Sequence, residues 1–322
     1  MLQANKNNSS LNNIYSFRFH FLTFLLVYFL IWAFSDGYLS PGYIAHLQEN
    51  FNNWVPKPFV YRQFVPLICR GLMAIFNLNA GIAYMSVVTV TTLGSAYSLQ
   101  YFFSSFWKKN LFSDLAIILG LGVMFLLIHN RQMKIYDTST LFFFTLSLAL
   151  IKREKTMVYL FLFPIICLNK ETSILLTVIY FFSFKNKQNP KLFYGSISLQ
   201  ILIYFFIRLL LLHAFQNNEG VVAQFWPVRN LLIYLERPTQ SIIFFTIIGI
   251  ILLVIFKDWK DKPIFLRNSF ILLGAPLSAL YFFMGVSFEF RVFIEIFPLI
   301  FLLILPSAFK KLRLNLQMNL PV

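Results

Sequence analysis

Charge is scarce in this chain, and acid is scarcer than base. Of 322 residues only 12% are charged, and 27 Lys and Arg stand against 12 Asp and Glu. Soluble domains carry about 25% charged residues and keep a polar face along each surface helix, so a water-soluble globular fold is excluded. Cysteine is nearly absent as well. Cys69 and Cys167 are the two in the sequence; they form neither a disulfide framework nor a metal-ligand spacing and read as small apolar packing residues. No internal repeat and no stretch suited to a soluble domain occurs. The net charge of +15 does not indicate nucleic acid, because the basic residues are dispersed between apolar runs rather than gathered in one patch.

What fills the chain is apolar: 58% of it is hydrophobic, and Phe alone supplies 41 residues. Apolar runs fall at 19–35, 80–106, 111–129, 136–151, 156–168, 172–184, 192–213, 240–256, 268–287 and 292–307. This pattern predicts an all-α, polytopic transmembrane helical bundle of about ten spans. It would occupy residues 19–307, between an Asn-rich tail at 1–18, expected to be disordered, and a basic tail at 308–322. Residues 19–34 lack a small-residue cleavage site and read as a retained first helix. With both termini in the cytoplasm, the inner breaks collect 17 of the 27 basic residues and four acids, whereas the outer breaks hold nine basic residues and eight acids. That bias matches the positive-inside rule. The outer charges are mixed rather than excluded, which is the pattern of a site.

One outer break lies inside an apolar stretch, "FPIICLNKETSILLTVIY" at 163–180. A charge at the bilayer centre costs about 2.5–3.5 kcal/mol, so Lys170 and Glu171 need water or partners. The basic runs on both sides belong to one compartment only if 157–184 is a hairpin. Its arms of 12 to 13 residues are shorter than the about 30 Å hydrocarbon core requires, and backbone that turns at membrane depth must be buried in protein or line a wet cavity. The expectation is a funnel open to the outside with Lys170 and Glu171 near its floor. The first outer loop, 36–79, contains an amphipathic stretch at 62–78 suited to the membrane interface. A second large outer segment, 214–239, carries Trp226 and Tyr234 as expected interfacial anchors.

Candidate functional residues follow from these positions. Asp36 at the mouth of the first span and Asp137 at the start of 136–151 are placed to take a proton from an acceptor hydroxyl; Asp137 also suits an N-terminal helix cap. Arg62, Lys170 and Arg291 are candidates to hold a phosphate or diphosphate, with Glu49, Tyr61, Glu171 and Glu289 in support. Lys170 with Glu171 and Glu289 with Arg291 also suit mutual ion pairs. Arg208, within a span, is expected to snorkel outward. His46, His129 and His213 share no ligand spacing on one helix, so no metal site is assigned.

Taken together, Asp36, the long loop 36–79, "PFVYRQFVP" at 58–66, "YDTST" at 136–140, "LNKETSILL" at 168–176 and "EFRVFIEIFPL" at 289–299 resemble the GT-C class of integral-membrane glycosyltransferases. The resemblance is to small bacterial members of unassigned substrate, in which the third of these motifs often reads Arg-Glu-Thr; here Lys170 keeps the charge and loses the guanidinium fork. It implies transfer of a sugar from a polyprenyl-phosphate carrier to a glycan or lipid-linked acceptor on the extracytoplasmic side of a bacterial inner membrane. Asp36 matches the acid that acts as base or orients the acceptor, and the basic residues match the lipid-phosphate site. Ten spans in 322 residues leave no room for the soluble C-terminal domain of larger members. The competing expectations are a transporter or flippase of a lipid-linked sugar, a polysaccharide polymerase or ligase, and a structural subunit without chemistry.

Overall fold

The computed structural model describes residues 17–30, 33, 39–129, 134–285 and 287–312. Its regular structure is helical. The α-helices are α1 (Phe17–Leu30), α2 (Pro41–Phe51), α3 (Phe64–Phe76), α4 (Ala80–Phe103), α5 (Leu111–His129), α6 (Asp137–Lys152), α7 (Thr156–Asn169), α8 (Ile174–Phe184), α9 (Pro190–Ala214), α10 (Pro227–Glu236), α11 (Pro238–Phe256), α12 (Ile264–Met284) and α13 (Phe297–Lys311). Proline stands in the first turn of α2, α9, α10 and α11, where its missing N–H costs nothing. Asn79 and Asn189 cap α4 and α9 by accepting the amides of Ile82 and Lys191.

Among the described residues four helices, not ten, are long and apolar enough to cross a membrane: α4, α9, α11 and α12. Apolar runs overcounted the spans because several of them form truncated helices. α6, α7, α8 and α13 have 16, 14, 11 and 15 residues, which rise between about 16 and about 24 Å against a core of about 30 Å. On the long helices α9 and α11 only 17% of the apolar window is buried; their remaining Leu, Ile and Phe suit a lipid environment.

The centre of the bundle is α6, which buries nearly every residue from Asp137 to Ile151. A helix buried on all sides is a core helix, yet this one carries Thr138, Ser139, Thr140, Thr145 and Ser147. Thr140 and Thr145 return their hydroxyls to the carbonyls of Tyr136 and Leu141, one turn back. Thr138 accepts from Thr91 of α4 at 2.9 Å. The neighbouring α4 is close for a steric reason: a Cβ at Gly94 would lie 2.7 Å from the Phe142 ring. Small and hydroxylated residues bring helices together where lipid supplies no hydrophobic drive.

Residues 157–184 form the expected hairpin. α7 stops where Lys170 turns to extended backbone (φ −157°, ψ 141°), a 3-10 turn follows at Glu171–Ser173, and α8 returns. Tyr159 stacks on Tyr180 at 5.7 Å, and Gln188 donates to Thr156, so the open ends of the two arms meet.

The polar breaks sort into two ends. At one, Arg153 donates to Tyr101 and Ser104, Lys187 pairs with Glu154, and Lys310 pairs with Asp258. At the other, the loops 52–62 and 215–220 are sewn together: Asn218 donates to the carbonyls of Asn53 and Val55, and Lys57 N–H donates to the Glu219 carbonyl. Gly220 is required there, because its φ is +91° and a Cβ would meet the Lys57 carbonyl at 2.8 Å. The loop 36–79 holds α2 as well as the expected amphipathic helix α3, which buries Val65, Pro66 and Cys69 and exposes Ile75 and Phe76. The Tyr234 hydroxyl lies 2.7 Å from that of Tyr281 on α12.

Candidate functional site

The N-terminus of α6 is the meeting point of four stretches that are far apart in the chain. Tyr136, which precedes the helix, lies beneath the Arg62 guanidinium at 4.2 Å and accepts from Arg291 Nη1 at 3.4 Å. Arg62, just past the Phe59–Tyr61 turn, donates through both arms of its fork to the Glu171 carboxylate, from Nε at 3.0 Å and from Nη2. Lys170 meets Glu295 at 2.6 Å, and Thr172 donates to the same Glu295 oxygen at 2.9 Å. Arg291, in the turn before α13, donates to Glu289 from Nε at 2.7 Å, and its Nη2 lies 2.7 Å from the same carboxylate oxygen. Asn169 ties the hairpin tip to α6, accepting from Ser139 at 2.6 Å and donating to Thr140 at 2.8 Å.

Asp137 lies within the field of Arg291, Lys170 and Arg62 and is fully buried. Its Oδ2 accepts the Lys134 amide at 2.7 Å, reaching back along the chain as the acid of a capping box does, instead of binding the free amides of its own helix. Its Oδ1 lies 4.0 Å from Arg291 Nη1 and accepts no hydrogen bond among the described residues. Glu295 Oε2 is likewise buried without a hydrogen-bond partner among the described residues. The cluster of Arg62, Lys170, Arg291, Asp137, Glu171, Glu289 and Glu295 contains one carboxylate more than cations. Two of its buried carboxylate oxygens therefore remain available to a proton, a hydroxyl or water.

At Glu171, Arg62 and Arg291, burial opposes the charge and the partners overcome it. For Glu171, in the turn between the hairpin arms, burial acts to raise the carboxyl; the Arg62 charge and its hydrogen bonds, with Lys170 adding to them, outweigh that and hold it down at about 2. Arg62 stays protonated against burial because Glu171 lies opposite, and Arg291 does so beside Tyr136, Asp137 and Glu289.

Among the described residues, the floor of the expected funnel is a junction of paired, largely buried side chains. The side chains of Arg62, Lys170 and Arg291 are only about a tenth exposed and that of Glu295 is 1% exposed, while Glu171 keeps 38%. Cations expected to stand ready for a phosphate are each engaged by a carboxylate, because in this membrane-like interior a bare cation is costlier than a paired one. Lys170 pairs with Glu295 rather than with its neighbour Glu171. Asp36 lies outside the described residues. Glu49 is on the surface of α2, 3.6 Å from His46 and apart from this network, and Tyr61 is buried in the apolar core.

Sequence reasoning left Glu295, Tyr136, Asn169 and Thr172 out of the site. Glu295 carried a signal: an acid inside "FIEIF" needs a buried partner. Arg208 also departs from expectation. Instead of snorkelling, it donates to the Cys167 carbonyl, one of the acceptors that the end of α7 leaves without an intrahelical partner. Among the described residues no group of three or more His, Cys, Asp or Glu is arranged to hold a metal ion.

In comparisons with known proteins, the chain matches no family model, no curated protein and no solved structure. Helices with four candidate membrane spans make it an integral membrane protein by length and composition, with no family assigned.

Proposed function

We propose that this protein is a membrane-embedded, GT-C-like glycosyltransferase that moves a sugar from a polyprenyl-phosphate carrier to an extracytoplasmic glycan or lipid-linked acceptor. The observation that carries the proposal is the convergence of Arg62, Lys170 and Arg291, from three separate stretches, around the buried carboxylate Asp137. A phosphate between them would exchange one carboxylate partner for another anion, with guanidinium forks matched to its oxygens. The basic end of the molecule would face the cytoplasm of a bacterial inner membrane and this mixed end the outside.

In the reaction the acceptor oxygen forms a bond to the anomeric carbon as the bond from that carbon to the carrier phosphate breaks. The leaving phosphate keeps the electron pair, and the three cations stabilise its charge. The acceptor proton passes to a carboxylate. Asp137 Oδ1 is our first choice among the described residues, and Asp36, chosen on sequence position, is the second. The carrier's isoprenoid tail would lie along the apolar helix faces. No metal is assigned a role.

The test uses purified protein and a labelled polyprenyl-phosphate sugar, with membranes of a strain lacking the protein as acceptor source. Asp137→Asn keeps the shape and removes the base, and transfer should fall about 10²–10⁴-fold. Undiminished transfer by this variant and by Asp36→Asn overturns the assignment. Mass spectrometry of envelope glycans and lipid-linked sugars in the deletion strain names the sugar; an unchanged profile favours a structural subunit.

One observation favours a second reading. Half-length helices that turn within the bundle, as α7 and α8 do, are also the elements from which carriers build midplane sites. A flippase or transporter would expose single cysteines on the hairpin alternately to both sides of the membrane, and the enzyme to one side only.

A further inference from the structure

The basic end of the molecule contains a second feature, unconnected with the cluster around Asp137. A cavity of about 210 Å³ opens between the ends of α6, α8 and α12. That is well above the about 10–15 Å³ that admits one water. Its polar lining is Lys152 from the end of α6, Ser183 and Lys187 from the end of α8 and the loop after it, and Asn268 and Ser269 from the start of α12. The rest of the lining is apolar, including Phe182 and Ile264, which are 59% and 65% exposed at the surface.

We propose that this cavity binds the phosphate headgroup of an anionic phospholipid, with Lys152 and Lys187 as its cationic ligands. Two lysines share one cavity, and Glu154 acts on both. Glu154 pairs with Lys187 at 2.8 Å, through side chains 55% and 59% exposed. Such an exposed pair adds little net stability, so Lys187 can change partner at little cost. No carboxylate pairs with Lys152 among the described residues; its ammonium lies 5.6 Å from the Phe106 ring centre. Burial, and after it the Lys187 charge, push the Lys152 ammonium down from its ordinary value. An anion between the two lysines relieves both effects, and the Asn268 amide and Ser hydroxyls can donate to its oxygens.

The apolar rim selects a lipid over a soluble phosphate. Phe182 continues into exposed Val178 one turn along α8, and Ile264 into exposed Ile271 two turns along α12. A headgroup in the cavity therefore has an apolar track beside it for its acyl chains. The position agrees with the physics of the leaflet, since basic pockets between helices on the cytoplasmic side recognise anionic headgroups. The proposal stands apart from the glycosyltransferase assignment and uses none of its residues.

The experiment is native mass spectrometry of the full chain released from nanodiscs of phosphatidylcholine with and without phosphatidylglycerol. The wild type should retain phosphatidylglycerol, and the double variant K152A/K187A should retain it about thirtyfold less well. K310A, at the same end but outside the cavity, should behave as wild type. Equal retention by K152A/K187A overturns the proposal. Displacement of the lipid by millimolar inorganic phosphate would show a soluble-anion site and overturns the lipid assignment. Should the double variant not fold, Phe182→Trp provides the second measurement: brominated phosphatidylglycerol should quench that Trp more than brominated phosphatidylcholine at the same fraction, and equal quenching refutes the site.

Discussion

At the basic end Lys187 meets Glu154 through side chains 59% and 55% exposed; at the mixed end Lys170 meets Glu295 through side chains 9% and 1% exposed. The distances, 2.8 and 2.6 Å, hardly differ. The surroundings do. An exposed pair trades water for a partner at little net gain, whereas a buried pair cannot lose one member without leaving a charge stranded in apolar surroundings. The mixed end is therefore a fixed junction that locks the hairpin tip to α6 and α13. The basic end is held by exposed pairs whose cations can change partner at little cost.

The widest separation between the two ends is expected from Glu295→Ala, which strands Lys170. It should cost about 3–5 kcal/mol, read as a fall in the thermal unfolding midpoint in detergent, while Glu154→Ala should cost no more than about 1 kcal/mol. The apolar pair Lys170→Met with Glu295→Leu should recover most of that loss. If Glu295→Ala is as mild as Glu154→Ala, the junction is not the lock described. Next in size is Arg208→Met, which removes the guanidinium from the Cys167 carbonyl and should cost about 1.5–3 kcal/mol by the same measurement.

Acid sharpens the comparison. Because Arg62 holds the folded-state Glu171 carboxyl down at about 2, below its ordinary 4.5, the contribution of that pair is complete above about pH 4.5 and is lost as pH falls towards about 2. Unfolding midpoints measured across that window should fall, and Glu171→Gln should flatten that part of the profile. The smallest effect is expected from Lys310→Ala. Its pair with Asp258 is 3.4 Å long with the lysine 73% exposed, and its loss should change stability by no more than about 0.5 kcal/mol.

Part of the fold was legible in advance. The hairpin at 157–184 followed from the basic runs on its flanks, and the division into a basic and a mixed end from counting Lys and Arg. The span count failed where it relied on apolar runs alone: α6 has 16 residues, nearly all of them buried within protein, and α8 has only 11. Arg62, Lys170, Arg291 and Asp137 were candidates on position, and the structure brings all four together; the expected pair of Glu289 with Arg291 forms, but that of Lys170 with Glu171 does not. Neighbouring Lys170 and Glu171 looked like one pair. Extended backbone at Lys170 instead sends their side chains to Glu295 and Arg62.

What the sequence by itself determined is the solvent. Scarcity of charge and the order of apolar and basic runs are one-dimensional quantities, and they suffice to assign a membrane protein with a broken hairpin. What only the tertiary structure decided is which charge neutralises which. Arg62 and Glu171 are 109 residues apart, Thr172 and Glu295 are 123 apart, and Tyr136 and Arg291 are 155 apart. Coulomb attraction falls with distance in space and is indifferent to distance along the chain, so no spacing rule finds such partners until the helices are packed.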